Sequence, residues 1–204
     1  MRPELRAELL RRAERDQAAR RSGNWQAAEQ ADAENLPWLR QVVTGNGWPG
    51  RSLAGEDGAH AAWLLAQHAD RDPAFQRQCL DLLAAAAGKG EATPVQVAYL
   101  TDRVLLAEGK PQEFGTQAVG KDGHWVPSRL RDPGGVDQRR AAMSLGPLAD
   151  YLAGIGRDLG PPASPVASCP ECGEKFEFWL PDPGEEASVS CPGCGETITI
   201  RSSP

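Results

Sequence analysis

The chain has 204 residues, 40% hydrophobic and 25% charged, with a formal net charge of −6. That length suits one medium domain plus a small module. No apolar run approaches the ~20 residues needed to cross a bilayer, and Arg2, Arg6, Arg11 and Arg12 break every candidate signal segment at the start. A soluble, cytoplasmic protein without membrane contact is therefore expected.

Pro3 to Arg21 reads as a helix with Leu5, Leu9 and Ala13 on one stripe. Glu8 with Arg12 and Asp16 with Arg20 stand at i,i+4, so its arginines read as a salt-bridged face rather than a nucleic-acid surface. Ser22-Gly23-Asn24 interrupts this helix before Trp25 to Glu34 continues. Asn35 is expected to cap a separate short segment with Pro37 in its first turn, carrying Leu39, Val42 and Val43. After the loop Gly45 to Gly50, a helix is expected from about Glu56 to Ala69.

Asp72-Pro73 and Thr93-Pro94 share one grammar, a cap followed by proline at the first helical position. They start helices that end at Gly88 and Gly109. Cys79 shares a stripe with Phe75, Leu82 and Leu83 and reads as a small buried hydrophobe. Gln112 to Val119 and His124 to Val126 flank Gly120-Lys121-Asp122-Gly123, a plausible hairpin. Asp137 is expected to cap a last helical stretch through Leu152, broken near Leu145-Gly146-Pro147.

Gly160-Pro161-Pro162-Ala163-Ser164-Pro165 is a semi-rigid linker without core-forming residues. Beyond it stand Cys169-Pro170-Glu171-Cys172-Gly173 and Cys191-Pro192-Gly193-Cys194-Gly195, two Cys-x-x-Cys pairs separated by 18 residues. In a reducing compartment this spacing places four thiolates around one tetrahedral zinc and leaves no open coordination position, so the ion is structural. The prolines stiffen the turns, and each trailing glycine permits the positive φ that aims N–H groups at sulfur. Lys175 to Leu180 and Glu196 to Arg201 alternate as strands, joined by a turn-rich loop from Pro181 to Glu186. The segment resembles a zinc ribbon. From Val166 onward there are two bases and seven acids, the wrong sign for nucleic acid.

The expected fold is therefore mainly α: a helical domain over residues 1–159 with a small β-hairpin, a linker over 160–165 and a β zinc ribbon over 166–204.

Several polar residues fall where the helical period predicts core. Asp16, Gln17 and Arg20 continue the Leu9–Ala13 stripe, Gln67-His68 ends an apolar helix, and Asp102-Arg103 stands in another beside Tyr99. Buried polar groups must meet one another or a ligand, so these residues form either a satisfied structural network or an open site, the latter being expected. Read as a site, His68 is the candidate general base and Asp102 the group that orients it. Arg103 or Arg20 is the candidate anion binder, and Gln117 with Thr116 the candidate donor to an oxygen. Asp16, Gln17, Gln67 and Gln112 complete the candidate ligand contacts. His60 and His68, eight residues apart on one helix, are about 12 Å apart along it, too far to share a metal ion.

Asp16-Gln17, Asp32 with Asn35, Gly47-Trp48-Pro49, Gln67-His68, Asp102-Arg103, Gln112 to Gln117, and Asp137 with Arg140 stand in an order that resembles a bacterial domain family of unknown function, from roughly Leu5 to Leu152. The family often has tyrosine before the Gly-Thr-Gln, where this chain has Phe114. The resemblance implies no activity.

Three functions remain open. The first is a binding or adaptor protein, with a small polar or anionic ligand in the helical domain and a protein or peptide on the ribbon. The second is a hydrolase or transferase using His68 as base. The third, a nucleic-acid module, is disfavoured by charge.

Overall fold

The computed structural model describes residues 1–121, 123–162, 166–178 and 186–201. It divides into two compact units, Met1–Val104 and Leu105–Pro204. Most of the chain is helical, with three small antiparallel strand pairs, in agreement with the expected mainly-α class.

The first unit contains α1 (Pro3–Arg21), α2 (Trp25–Asn46), α3 (Arg51–Gln67), α4 (Pro73–Ala87) and the greater part of α5 (Pro94–Ala107). Leu9, Leu39, Phe75, Leu83 and Leu100 are its fully buried large apolar side chains, each contributing about 1.5–3 kcal/mol on transfer from water. Alanines at 54, 61, 62 and 66 of α3 complete this core and let neighbouring helices come close. Cys79 is sealed among them, and burial pushes its thiol up to about 12.

The helix starts follow the sequence grammar closely. Asp72 Oδ1 accepts from the Phe75 N–H at 3.0 Å. At α5 the cap is reciprocal: Thr93 Oγ1 accepts from the Gln96 N–H (3.2 Å), and Gln96 Oε1 accepts from the Thr93 N–H (2.9 Å). The α3 helix starts earlier than expected, at Arg51, because Gly55 takes a positive φ of 76° and kinks an extra turn onto it.

Two boundary expectations are corrected. α2 runs unbroken through Pro37 to Asn46, and Asn35 lies buried inside it rather than capping a new segment. Proline removes one helical N–H donor, but Ala28, Ala31, Leu39, Val42 and Val43 all stay buried along one continuous helix, and that shared packing outweighs the missing bond. The last helical stretch breaks where expected, between α6 (Val136–Ala142) and α7 (Leu148–Leu159), but runs on to Leu159 rather than Leu152. Asp137 caps the second of them: its Oδ1 accepts from the Leu148 N–H at 2.8 Å.

In the second unit, β1 (Ala118–Lys121) pairs with β2 (His124–Pro127) as the expected hairpin. Asp122 of its turn is outside the described residues. The ribbon region contains two further hairpins, β3 (Val166–Ser168) with β4 (Lys175–Glu177) and β5 (Glu186–Ser190) with β6 (Thr197–Arg201). Only β4 and β6 were legible as alternating stretches. The ends of the expected strand at Trp179-Leu180, the joining loop 181–185 and linker residues 163–165 lie outside the described residues. Among the described residues, no helix is long and apolar enough to cross a membrane.

Candidate functional site

The four tail cysteines come together. Each knuckle is built by one repeated pattern: the Cys169 N–H donates to Glu174 O (2.8 Å) and the Gly173 N–H to Cys169 O (2.9 Å), and Cys191, Glu196 and Gly195 repeat it at 2.7 and 2.9 Å. Gly173 and Gly195 close the turns at φ 75° and 77°. The Sγ atoms of Cys169 and Cys194 are 3.6 Å apart, as are those of Cys172 and Cys191, and all four thiols are free of disulfides. Metal–sulfur bonds of about 2.3 Å imply sulfur–sulfur edges of about 3.8 Å in a tetrahedron. The observed distances are close to that, so four soft thiolates could hold one metal ion.

The second cluster is in the first unit and centres on Asp16, a carboxylate with no solvent exposure on the core face of α1. Arg20, one turn on, donates from Nε to Asp16 Oδ1 at 2.9 Å and from Nη2 to both oxygens of Asp32 in α2 at 2.9 and 2.7 Å. His68, the cap residue after α3, brings Nδ1 to 2.8 Å from Asp16 Oδ2, and Gln17 Nε2 donates to that same oxygen at 3.0 Å. Burial pushes the Asp16 carboxyl up, but the His68 hydrogen bond and charge, the Gln17 bond and the Arg20 charge outweigh it and hold it at about 2. In Asp32 burial wins over Arg20 and the carboxyl is raised. An ionised carboxylate only accepts, so His68 donates from Nδ1 and its Nε2 is the remaining reactive nitrogen.

Ligand atoms of Asp16, Asp32 and His68 lie within 4.8 Å of one another, a metal-like grouping. Arg20 already supplies the cation to both carboxylates, so the grouping is an ion-pair cluster. Two sequence expectations change accordingly. The carboxylate on His68 Nδ1 is Asp16, where Asp102, itself fully buried, was the expected partner. Both candidate anion binders have carboxylate partners: Arg20 donates to Asp16 and Asp32, and Arg103 donates from Nη1 to Asp70 at 2.8 Å. Asp16 is also sealed rather than open, while His68, Arg20 and Asp32 keep some exposure.

Other candidate contacts are spent on the fold. The Gln67 amide, nearly buried, orients its oxygen toward the Leu100 N–H (2.9 Å) and Trp63 Nε1 (3.3 Å), joining α3 to α5. Gln112 belongs to the second unit, where its Nε2 donates to Gln117 O (2.9 Å) and Ser128 O while its Oε1 accepts from the Gln117 N–H (2.8 Å). Thr116 is buried, and its Oγ1 accepts from Gln117 Nε2 at 3.3 Å. Arg140, which the sequence marked only as part of the family pattern, and Tyr151, which it did not mark at all, fix this segment. Buried Arg140 donates to Phe114 O (2.7 Å) and Gly146 O (2.6 Å), and the Tyr151 hydroxyl donates to Thr116 O (2.7 Å).

Gln17 also lines a cleft of about 670 Å³ in the first unit, between α1, α3 and the start of α5. Leu10, Leu64, Val95 and Trp63 give it an apolar wall, and His60 and Gln96 complete that side. The periodicity of each helix signals its buried face, but no single helix signals the hollow between three of them.

The architecture defines a helical domain followed by a four-cysteine, ribbon-like module. The chain belongs to the family of unknown function DUF6624, whose match spans residues 3–160 and so stops short of the cysteines. No curated protein and no solved structure matches it.

Proposed function

We propose that the protein is a binding protein with an adaptor role: its first unit takes a small polar ligand in the cleft, and its ribbon holds one zinc ion and recognises a protein or peptide. The observation that carries the first part is the double placement of Gln17, on the cleft wall and on Asp16. It connects a concave, largely apolar surface to a preorganised charge cluster, the combination that small-molecule sites use for affinity and orientation. Zinc is favoured by four soft ligands in a closed tetrahedral set. Protein recognition by the ribbon is favoured by its acidic charge, which suits a basic partner and repels nucleic acid. Titration of the isotope-labelled chain with a small-molecule library tests the cleft. Ligands should shift the Trp63 indole and His60 ring signals, and Gln17→Ala should weaken them; ligands that leave both rings unmoved would remove this reading.

The Asp16–His68 pair favours a second reading, a hydrolase or transferase. A carboxylate on Nδ1 fixes the tautomer and orients Nε2 as a general base. Turnover of a bound ligand that His68→Ala abolishes without weakening its binding would establish this reading over the first.

A further inference from the structure

The geometry points to an organic cation as the occupant of the cleft: a primary amine on an apolar body with an acceptor oxygen nearby, as in an apolar amino-acid amide or the N-terminus of a short peptide. This rests on the binding reading above and names its ligand class.

The apolar part has a fixed seat. Trp63 donates from Nε1 to Gln96 O at 3.0 Å, sets its ring edge-on to Tyr99 with centroids 6.0 Å apart, and lies 5.1 Å from the His60 ring. An indole held on three sides loses little freedom when a ligand covers it. Leu10, Leu64 and Val95 extend the same surface.

Two amides on this surface have unused capacity of opposite kinds. Gln96 is 8% exposed and gives its Oε1 to the cap of α5. Its Nε2 has no acceptor among the described residues and can donate to a ligand oxygen. Gln17 gives its Nε2 to Asp16, and its Oε1 accepts no hydrogen bond among the described residues, so it calls for an N–H.

The charge around the cleft decides the sign. Glu14, Glu56, Asp57 and Glu91 line it against a single cation, Arg51. Asp57 is held by Arg6, and Glu91 accepts the Ser52 N–H at 2.7 Å. Among the described residues, Glu14 and Glu56 have only solvent-exposed ion pairs, to Arg21 at 2.7 Å and to Arg51 at 3.7 Å. Such pairs are weak and exchange readily, so both carboxylates remain open to an ammonium group. A ligand carboxylate would meet net repulsion instead, because four acidic side chains stand against Arg51 alone.

Calorimetric titration of the full, zinc-supplied chain with L-leucinamide, N-acetyl-L-leucinamide and isocaproate tests the inference. Leucinamide should bind, its acetylated form roughly fivefold to tenfold more weakly, and isocaproate more weakly still. Added salt should weaken the leucinamide complex, and the double substitution Glu14→Gln, Glu56→Gln should weaken it about fivefold without lowering the melting temperature. Absence of leucinamide binding, equal or tighter binding of either uncharged or anionic analogue, or an unchanged affinity in the folded double variant would each overturn the cation assignment. Tighter binding of isocaproate with Trp63 signals perturbed would overturn the ligand class while leaving the cleft as the binding site. Compounds that bind without perturbing Trp63 would overturn both.

Discussion

Removing the His68 imidazole takes a hydrogen bond from a carboxylate that has no access to water to replace it. His68→Ala should therefore lower stability by about 1.5–3 kcal/mol, measured by urea unfolding; an unchanged stability would show that Asp16 is satisfied without it. The same carboxylate sets a pH dependence. Its folded pKa, about 2, lies below the ordinary 3.8, so its contribution is present above pH 4 and is lost as pH falls from about 4 toward 2. Asp16→Asn should flatten that part of the acid limb, and an acid limb identical to wild type would contradict the assignment. At this scale the sequence was partly legible. Asp16, Gln17 and Arg20 announced themselves by continuing an apolar stripe with polar side chains, but periodicity identifies a face and not its neighbour. The partner of His68 is 52 positions away, and choosing between Asp16 and Asp102 required the packing of α1 against α3.

Among the elements, the caps were the most legible because each is a local hydrogen bond between residues a few positions apart. Asp72 and Thr93 behave as their proline-following grammar predicts. Asp137 shows the limit of that rule: it reaches across 11 positions to the Leu148 N–H and so stabilises the start of α7. Asp137→Ala should cost about 0.5–2 kcal/mol, read as a lower urea midpoint for loss of helical signal. Loss of the Val136–Ala142 helix alone, with α7 intact, would return the cap to the earlier position. Pro37 was misread for the opposite reason, since a local breaker is tolerated when tertiary burial on both sides of it is continuous. The strands β3 and β5 were missed because Val166-Ala167-Ser168 is too short to show a period and Glu186 to Ser190 is mostly small residues; their antiparallel partners define them.

On the scale of the whole molecule, the family match and the cysteine cluster divide the chain in sequence. A small ribbon has little apolar area to bury, so metal ligation must supply much of its folding free energy. Purified protein should contain one zinc per chain, and Cys191→Ser should release it and unfold the ribbon with most helical signal kept. Metal-free protein with disulfide-bonded cysteines, or a single cooperative loss of all helix in the variant, would contradict this. Helix content and the ribbon were legible from composition and spacing alone. The cleft was not, because it exists only where α1, α3 and the start of α5 come together.

The central claim is that cleft and charge cluster form one site joined by Gln17. Its most direct measurement is an NMR titration of the full chain with L-leucinamide, following the Trp63 indole and the His68 imidazole together. Both signals should move in the wild type, whereas in Gln17→Ala the Trp63 shift should weaken and the His68 shift should disappear. A His68 response that survives in Gln17→Ala, or a wild type in which Trp63 does not respond, would contradict it.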